Sequence, residues 1–232
     1  MYSKTLILFD IGGVLVKLNY GNFYEQAAKY SSHSAKEIEK KYIQSRLDFR
    51  VCRGEITALE FMNELRDCLE IPKKVTQEEL ERIVGATFPD QISEMIALKE
   101  QLHQIGYAVG ILSNIGEHVH KILLKRYPEM FAVYNPMCPS LLSYQVKVMK
   151  PEPRIYDAVV GFENIIFIDD KDAYLKVGIQ RGWKGIHYVE YPDTTEPQRK
   201  SHSDTGYQHP WLKSAKSIRE VKNSLREFGV KV

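Results

Sequence analysis

Polar residues that could take part in catalysis or binding lie at the end of an apolar run, or in the loop after it, at four places in the chain. In order they are Asp10, Ser113 with Asn114, Lys150, and Asp169 with Asp170. An aspartate directly after a buried parallel strand projects from the carboxyl edge of the sheet, where open α/β sheets bind their ligands. A carboxylate can act as a nucleophile, and a hydroxyl can donate to a phosphoryl oxygen. A fixed ammonium offsets the like charge of the two reacting groups. The order of acid, hydroxyl, lysine and acid pair therefore predicts phosphoryl chemistry.

Two further features favour an ion and an anion as ligands. Adjacent carboxylates such as those of Asp169 and Asp170 repel each other unless a cation or a shared proton neutralises them. Mg²⁺ is the natural cation, because it prefers carboxylate, carbonyl and water oxygens and uses only one or two protein carboxylates. Gly12 and Gly13, just beyond Asp10, allow a sharp turn that brings backbone N–H groups near an anion. The sequence thus predicts Mg²⁺ beside a phosphate-binding turn.

The elements that must position these residues are parallel strands and the helices between them. Continuous apolar runs of this kind are typical of strands covered on both faces. They are Thr5–Phe9, Tyr107–Leu112, Ala132–Tyr134, Ile165–Ile168 and Gly185–Val189. Helical patterns precede two of them, over residues 90–105 and from Pro153 to Gly161. This alternation predicts an α/β fold with a Rossmann-like parallel sheet.

Residues 18–89 have a different pattern, dense in helix-start signals. Three capping boxes place a hydroxyl at the N-cap and a glutamate three residues later. They are Ser34 with Glu37, Thr57 with Glu60, and Thr76 with Glu79. We therefore predict an α-helical cap over 18–89, inserted after the first strand into a core formed by residues 1–17 and 90–190. Residues 191–232 are predicted as an extension with an irregular segment, Pro192–Pro210, and a terminal helix over Ser217–Phe228 that packs on the core.

The composition excludes several classes of partner. With 32 basic and 30 acidic residues, the net charge of +2 gives no electrostatic footprint for nucleic acid or an anionic membrane. No apolar stretch approaches the roughly 18 residues of a membrane span, and we expect no signal peptide at the N-terminus. The three cysteines form no C-x-x-C pair and are expected to be reduced packing thiols. We expect a cytoplasmic protein, either a monomer or a homodimer, that binds a small molecule.

Taken together, the four motifs resemble those of the haloacid dehalogenase superfamily of phosphohydrolases, over roughly residues 5–189. The stretches that carry the resemblance are Phe9–Val14, Arg53–Ile56, Leu112–Asn114, Lys150–Tyr156 and Ile168–Asp170. Within the superfamily the chain is most similar to the subgroup that contains bacterial α-D-glucose-1-phosphate phosphatases and the phosphatase domain of soluble epoxide hydrolases. The resemblance is specific for fold and reaction class, and it leaves the substrate open.

The resemblance implies a Mg²⁺-dependent phosphatase that acts on a small phosphorylated metabolite. A sugar phosphate is the expected substrate, with sugar-1-phosphates as one option. Asp10 would be the nucleophile and would form an aspartyl phosphate. Asp10, the Gly12 carbonyl and Asp170 would hold Mg²⁺, with Asp169 acting through water. Gly12, Gly13, Ser113, Asn114 and Lys150 would bind the phosphoryl group, and Lys150 would also offset the charge of Asp10.

Two positions depart from the family pattern. Most family phosphatases carry a second aspartate two residues after the nucleophile as acid and base, where this chain has Gly12. We therefore expect a preference for leaving groups of low pKa. Family members usually place Asp or Asn four residues after Asp170, where this chain has Tyr174. Candidate replacements for the missing acid and base are His118, Lys171 and Asp172. Residues of these types more often lie at the surface than act in catalysis.

The departures leave alternatives open. A catalytically impaired protein that binds a phosphorylated ligand is one, and a metal-independent dehalogenase is another. Specificity is expected to lie in the predicted cap, because a cap closes over the substrate and contacts the leaving group. Its candidate contacts are Arg46, Arg50, Arg53, Tyr20, Phe23 and Tyr24.

Overall fold

The fold is built on a single parallel sheet of six strands, seen in a computed structural model that describes residues 4–132, 140–189 and 206–232. The strands are β1 (Thr5–Phe9), β2 (Ala108–Ser113), β3 (Leu141–Leu142), β4 (Asn164–Asp169), β5 (Lys184–Tyr188) and β6 (Leu212–Ala215). Their order across the sheet is β3-β2-β1-β4-β5-β6, and every neighbouring pair is parallel. The prediction of an α/β fold with a parallel sheet is confirmed.

Eleven α-helices surround or extend the sheet in the described part of the chain. Between β1 and β2 lie α1 (Tyr20–Ala28), α2 (Ala35–Ser45), α3 (Leu47–Cys52), α4 (Ala58–Cys68), α5 (Gln77–Gly85) and α6 (Ser93–Gln104). After β2 come α7 (Glu117–Arg126), a 3₁₀ helix (Pro128–Phe131), α8 (Ser143–Val146), α9 (Pro153–Asp157), α10 (Asp172–Ile179) and α11 (Ile218–Glu227). Within these residues, no helix is both long and apolar enough to cross a membrane.

The central strand shows why the sheet needs helices on both faces. Alternate residues of β1 enter different hydrophobic clusters, with Ile7 and Phe9 in one and Leu6 and Leu8 in the other. Helices α6 and α11 contribute to the first cluster, and α9 and α10 to the second. Because successive side chains of a strand point to opposite faces, a strand buried on both sides must be apolar throughout. This is the continuous pattern present in the sequence.

The helices α1–α5 form a separate hydrophobic cluster, which includes Phe23, Phe61 and Leu80. All three predicted capping boxes are present and begin α2, α4 and α5. The chain leaves and re-enters the sheet region at one place, where the Lys17 N–H donates to the Asp90 carbonyl at 2.8 Å and the Asn19 N–H to the Thr87 carbonyl at 2.8 Å. The division into core, cap and extension stays a prediction, and these helices occupy the stretch assigned to the cap.

The sheet edges differ from the sequence prediction. Of the predicted strand Ala132–Tyr134, residues 133 and 134 lie outside the described residues, and the observed edge strand is β3. The other edge strand, β6, was not predicted, and it begins just after the predicted irregular segment, of which residues 192–205 lie outside the described residues. The terminal helix is present as α11, and its Val221 and Leu225 are buried in the cluster that contains Ile186 of β5.

Candidate active site

The predicted site residues from three strands meet at the carboxyl edge of the sheet. Asp10 directly follows β1, Ser113 ends β2 and Asp169 ends β4. Because Phe9 is in register with both Ile111 of β2 and Ile168 of β4, the three strand ends lie side by side. Their side chains are withdrawn from solvent, with exposed fractions of 6% for Asp10, 2% for Ser113 and 0% for Asp169. Parallel pairing alone therefore brings the acids and the hydroxyl together.

Lys150 joins the two acids from the loop between α8 and α9. Its Nζ lies 2.6 Å from Asp169 Oδ2 and 3.1 Å from Asp10 Oδ1, and it donates to the Leu112 carbonyl at 3.0 Å. Burial by itself would lower the pKa of Lys150, but the charges of Asp10 and Asp169 outweigh it and raise that pKa. The lysine is therefore a fixed positive charge between two carboxylates.

Asn114 holds the lysine loop in place. Its Oδ1 accepts from the Lys150 N–H at 2.7 Å, and its Nδ2 donates to the Lys150 carbonyl at 2.8 Å. Both polar atoms of the amide thus face the main chain of Lys150. Binding of the phosphoryl group by Asn114 stays a prediction, and its side-chain amide is engaged with the main chain of Lys150. The adjacent Ser113 lies at the end of β2.

The acid cluster fits a divalent cation. Oxygen atoms of Asp10, Asp169 and Asp170 all lie within 4.8 Å of one another. Within the described residues, Oδ1 of Asp10 and Oδ1 of Asp170 are buried and accept no well-oriented hydrogen bond, although the Lys150 ammonium is near the former. Burial, and then the negative charge of Asp10, raises the pKa of Asp170. Burial is also the main cause of the raised pKa of Asp169. A bound cation would relieve both effects, and Mg²⁺ accepts this donor set.

The two glycines after Asp10 differ in how strictly they are required. Gly13 has a φ of +75°, and a Cβ added there would lie 2.9 Å from Cγ of Asp170. Any side chain at position 13 would thus displace a member of the acid cluster. A Cβ at Gly12 would lie 2.9 Å from Cδ1 of Leu18, the end of a flexible side chain. Gly12 itself carries no acid at the position where most family phosphatases have their second aspartate.

We compared the sequence and the fold of this chain with those of known proteins. A search of protein-family models finds no match. A D-ribitol-5-phosphate phosphatase of Bacteroides thetaiotaomicron is 26% identical over 191 residues, which is 77% of this chain and 88% of the relative. A crystal structure of a HAD family enzyme from the same organism, in complex with magnesium and inorganic phosphate, superposes with a TM-score of 0.68 at 25% identity and covers 85% of this chain and 98% of its own.

A predicted HAD-like family hydrolase from Porphyromonas gingivalis shares the fold, with a TM-score of 0.64, 20% identity, and coverage of 80% of this chain and 90% of that one. Fold, strand-end acids and these relatives agree. In fold and in its strand-end acids, the chain is similar to enzymes of the haloacid dehalogenase superfamily. The resemblance stated from the motifs is thereby confirmed at the level of the superfamily, whereas the similarity to the glucose-1-phosphate subgroup stays a prediction.

Three residues were candidates for the missing acid and base of the superfamily pattern. His118 and Asp172 are buried, with exposed fractions of 3% and 2%, so the expectation of a surface position was wrong for both. Burial lowers the pKa of His118 to about 3, which leaves the imidazole neutral and stacked on Phe61 at neutral pH. Asp172 accepts from the Tyr207 N–H at 3.3 Å. Lys171 is half-buried, and its Nζ lies 5.3 Å from the centre of the Tyr174 ring.

Tyr174 occupies the position where the superfamily usually has Asp or Asn. Its ring lies over two ammonium groups, 5.0 Å from Nζ of Lys150 and 5.3 Å from Nζ of Lys171. A tyrosine ring attracts cations through its face without adding a formal charge. Tyr174 therefore contributes packing for the lysines of the site in place of a carboxylate for the metal.

Candidate substrate contacts from the helices separate into two groups. Tyr20, Tyr24 and Arg46 line a pocket of about 390 Å³. The other arginines are engaged elsewhere, with Arg50 paired to Glu64 at 2.5 Å and Arg53 paired to Glu152. Phe23 is buried in the hydrophobic cluster of the helices. Sequence reasoning missed Asp48, the acidic side chain that lines the same pocket.

Proposed function

We propose that this protein is a Mg²⁺-dependent phosphatase that hydrolyses the phosphate monoester of a small polyhydroxylated metabolite, a sugar or a polyol, through an aspartyl phosphate on Asp10. The observation that carries the proposal is the buried Lys150 ammonium between Asp10 and Asp169, at 3.1 Å and 2.6 Å, beside a further acid, Asp170. The activity of the Bacteroides relative on D-ribitol-5-phosphate supports the reaction class. The Bacteroides structure with magnesium and phosphate supports the ion.

The donor set defines how the ion would be held. Asp10, Asp170 and the Gly12 carbonyl would bind Mg²⁺, and Asp169 would act through a water molecule because Lys150 and the Lys171 N–H already occupy its two oxygens. When bound, Mg²⁺ neutralises negative charge on the phosphoryl oxygens and on the acid cluster. The positive φ of Gly13 keeps Asp170 within reach of this arrangement.

The chain's own residues account for both chemical steps. A carboxylate oxygen of Asp10 attacks phosphorus, and the bond from phosphorus to the leaving-group oxygen breaks. Lys150 and the Ser113 hydroxyl stabilise the charge on the transferring group, and the Asn114 amide keeps Lys150 aligned. Water then attacks phosphorus of the aspartyl phosphate and the bond from phosphorus to the Asp10 oxygen breaks, which restores Asp10 and releases inorganic phosphate. The proton that the water loses to solvent balances the one that the leaving group takes up from solvent in the first step. Splitting the displacement into two steps at one fixed acid makes catalysis mainly a matter of position and charge.

Position 12 limits the leaving group. Gly12 stands where most family phosphatases carry their acid, so the catalytic loop supplies no proton to the departing oxygen. General acid catalysis is typically worth about 10²- to 10⁴-fold in rate. We therefore expect faster turnover of esters whose leaving group has a low pKa, such as p-nitrophenyl phosphate or a glycosyl phosphate, than of a simple alkyl phosphate. Equal kcat values for a glycosyl and an alkyl phosphate would contradict this expectation.

The deciding experiment measures phosphate release from sugar phosphates, polyol phosphates and p-nitrophenyl phosphate, with Mg²⁺ or with a chelator. We expect turnover that needs Mg²⁺ and that is abolished by Asp10→Asn, a substitution that keeps the shape of the side chain and removes its nucleophilic charge. Binding of a phosphorylated ligand without turnover would instead support the alternative of a catalytically impaired binding protein.

A further inference from the structure

A pocket formed by three helices contains the candidate substrate contacts Tyr20, Tyr24 and Arg46 together with an acid, Asp48. Its volume is about 390 Å³, within the usual range for a small-molecule site. The lining residues come from α1, α2, α3 and the corner between α2 and α3, and they are Tyr20, Tyr24, Tyr42, Ile43, Arg46, Asp48 and Phe49. The pocket therefore combines aromatic rings with one acid and one base.

Charged groups near the catalytic edge, the strand ends with Asp10, Ser113 and Asp169, act on side chains that line this pocket. The charge of Asp48 is the main cause of the raised pKa of Tyr20, and the charge of Asp170 also contributes. The ammonium of Lys171, the neighbour of Asp170, acts in turn on Asp48. The chain provides a direct connection as well, because α1 begins two residues after Leu18, whose side chain packs against Gly12. The pocket thus begins at Tyr20, ten positions after Asp10 along the chain.

Asp48 is the polar centre of the lining. The Tyr42 hydroxyl donates a hydrogen bond to its carboxylate, and burial raises the pKa of Asp48. The Cys52 thiol lies 4.0 Å from Oδ1. A carboxyl group has about four lone-pair sites, so these neighbours leave capacity for further donors from a ligand. The aromatic side chains around Asp48 provide apolar surface, with the Tyr20 and Tyr24 ring centres 6.4 Å apart.

Arg46 marks the rim of the pocket with a strained backbone. Its φ is 54°, a left-handed conformation that costs a residue with a side chain about 1 kcal/mol or more. The guanidinium lies 4.9 Å from the centre of the Phe49 ring. Arg46 is the C-cap of α2 and the residue before α3, so this conformation makes the turn between the two helices that line the pocket.

We propose that this pocket is the subsite for the leaving group, and that Asp48, held by Tyr42, selects polyhydroxylated substrates by accepting hydrogen bonds from their hydroxyl groups. The C–H faces of a sugar or polyol suit the aromatic walls, and its hydroxyl groups suit the acid at their centre. The proposal rests on the proposed phosphatase activity. It assigns Asp48 as a specificity-determining residue rather than a catalytic one.

The test compares two substrates in the full-length protein loaded with Mg²⁺. One is a five-carbon polyol phosphate, and the other is p-nitrophenyl phosphate, whose leaving group has no hydroxyl group to donate to Asp48. For Asp48→Asn we expect the KM of the polyol phosphate to rise about 10- to 100-fold with kcat nearly unchanged, since a hydrogen bond to a charged group is lost. For p-nitrophenyl phosphate we expect kcat/KM to stay within about twofold. Tyr42→Phe is expected to give a smaller rise in the same direction, because it only loosens Asp48.

Controls separate the possible results. Asp67→Asn makes the same change on the exposed face of α4 and is expected to alter neither substrate. Wild-type activity on p-nitrophenyl phosphate tests the phosphatase proposal, and its absence would overturn that proposal together with this one. If the wild type is active and Asp48→Asn leaves the polyol KM unchanged, or changes both substrates equally, only the subsite assignment is overturned. Retained p-nitrophenyl phosphate turnover in each variant shows that it is folded.

Discussion

The catalytic edge and the pocket of the helices are built by opposite means. At the edge, main-chain pairing of β1, β2 and β4 fixes the side chains, and Lys150 is fully buried between two acids. In the pocket, side chains from separate helices converge, and Arg46 and Phe49 are exposed at its rim. On the functions proposed above, the sheet would hold the reaction and the helices would hold the choice of substrate. Substitutions at the edge should therefore act on kcat for every substrate, and those in the helices on particular substrates or on stability.

The largest effect is expected at the centre of the edge. Lys150→Met removes the only ammonium between Asp10 and Asp169 among the described residues, and the loss of one such electrostatic contact typically costs about 10²- to 10³-fold in kcat. The loss should be the same for p-nitrophenyl phosphate and a polyol phosphate. The matched control is Lys147→Met, the same change at an exposed residue of the same loop. A loss limited to one substrate would contradict the division between edge and pocket.

The next effect comes from the turn after Asp10. Gly13→Ala places a methyl group 2.9 Å from Cγ of Asp170, and a misplacement of about 1 Å can cost about 10²-fold in rate. We expect a lower kcat and a higher Mg²⁺ concentration for half-maximal activity. Gly106→Ala is the control, because Gly106 also has a positive φ, +98°, but no neighbour within 4 Å of its added Cβ. Denaturant unfolding should show similar backbone strain in both, so an equal loss of activity would refute the steric argument.

An intermediate effect concerns stability where α7 meets α4. His118 is buried against Phe61, with a pKa lowered to about 3 from an ordinary value of 6.5. As the pH falls below 6.5, the unfolded chain binds a proton that the folded protein excludes, so stability declines. Between about pH 7.5 and about pH 5 this residue should cost about 2 kcal/mol. His118→Gln, which has no charge at either pH, should lose that part of the pH dependence in urea unfolding. An unchanged slope would show that His118 is protonated in the folded protein.

The smallest effect is expected at a contact between α3 and the loop that follows Lys150. Arg53 pairs with Glu152 and, at 3.1 Å, with Glu55. Ion pairs with this much exposure contribute little and weaken with salt. A double-mutant cycle with Arg53→Gln and Glu152→Gln should give a small coupling that disappears at high salt, and kcat/KM should change by less than about twofold. A large coupling at high salt would mean that this pair fixes the helices to the catalytic loop.

The sequence allowed prediction of features that depend on local pattern. Capping boxes appear directly in residue types, and so do acids that follow apolar strands, which is why the starts of α2, α4 and α5 and the positions of Asp10 and Asp169 agree with prediction. The magnesium prediction also followed from two adjacent acids, and the relatives support it.

Features created by tertiary contacts were not predictable in the same way. The short strand β6 owes its pairing to β5 rather than to its own pattern. The Asn114 amide turns to the Lys150 main chain across 36 positions of sequence, and the filling of the space at Gly12 depends on where Leu18 packs. Asp48 becomes significant only because three helices bring aromatic side chains around it. The surroundings of such a residue are therefore set by the fold and cannot be predicted from its residue type alone.

The side-by-side crossing of residues 17–19 and 87–90 has a consequence for how such proteins diversify. The chain leaves the sheet region at residues 17–19 and returns beside them at residues 87–90. The helices between these two segments therefore replace what could be a short turn, without changing how the strands pair. The entropy of closing a loop grows only slowly with its length, so a longer, shorter or unrelated set of helices would meet the same two hydrogen-bonded ends. On the proposed function, a different set of helices would change the substrate, while the strands next to Asp10 and Asp169 would keep their register.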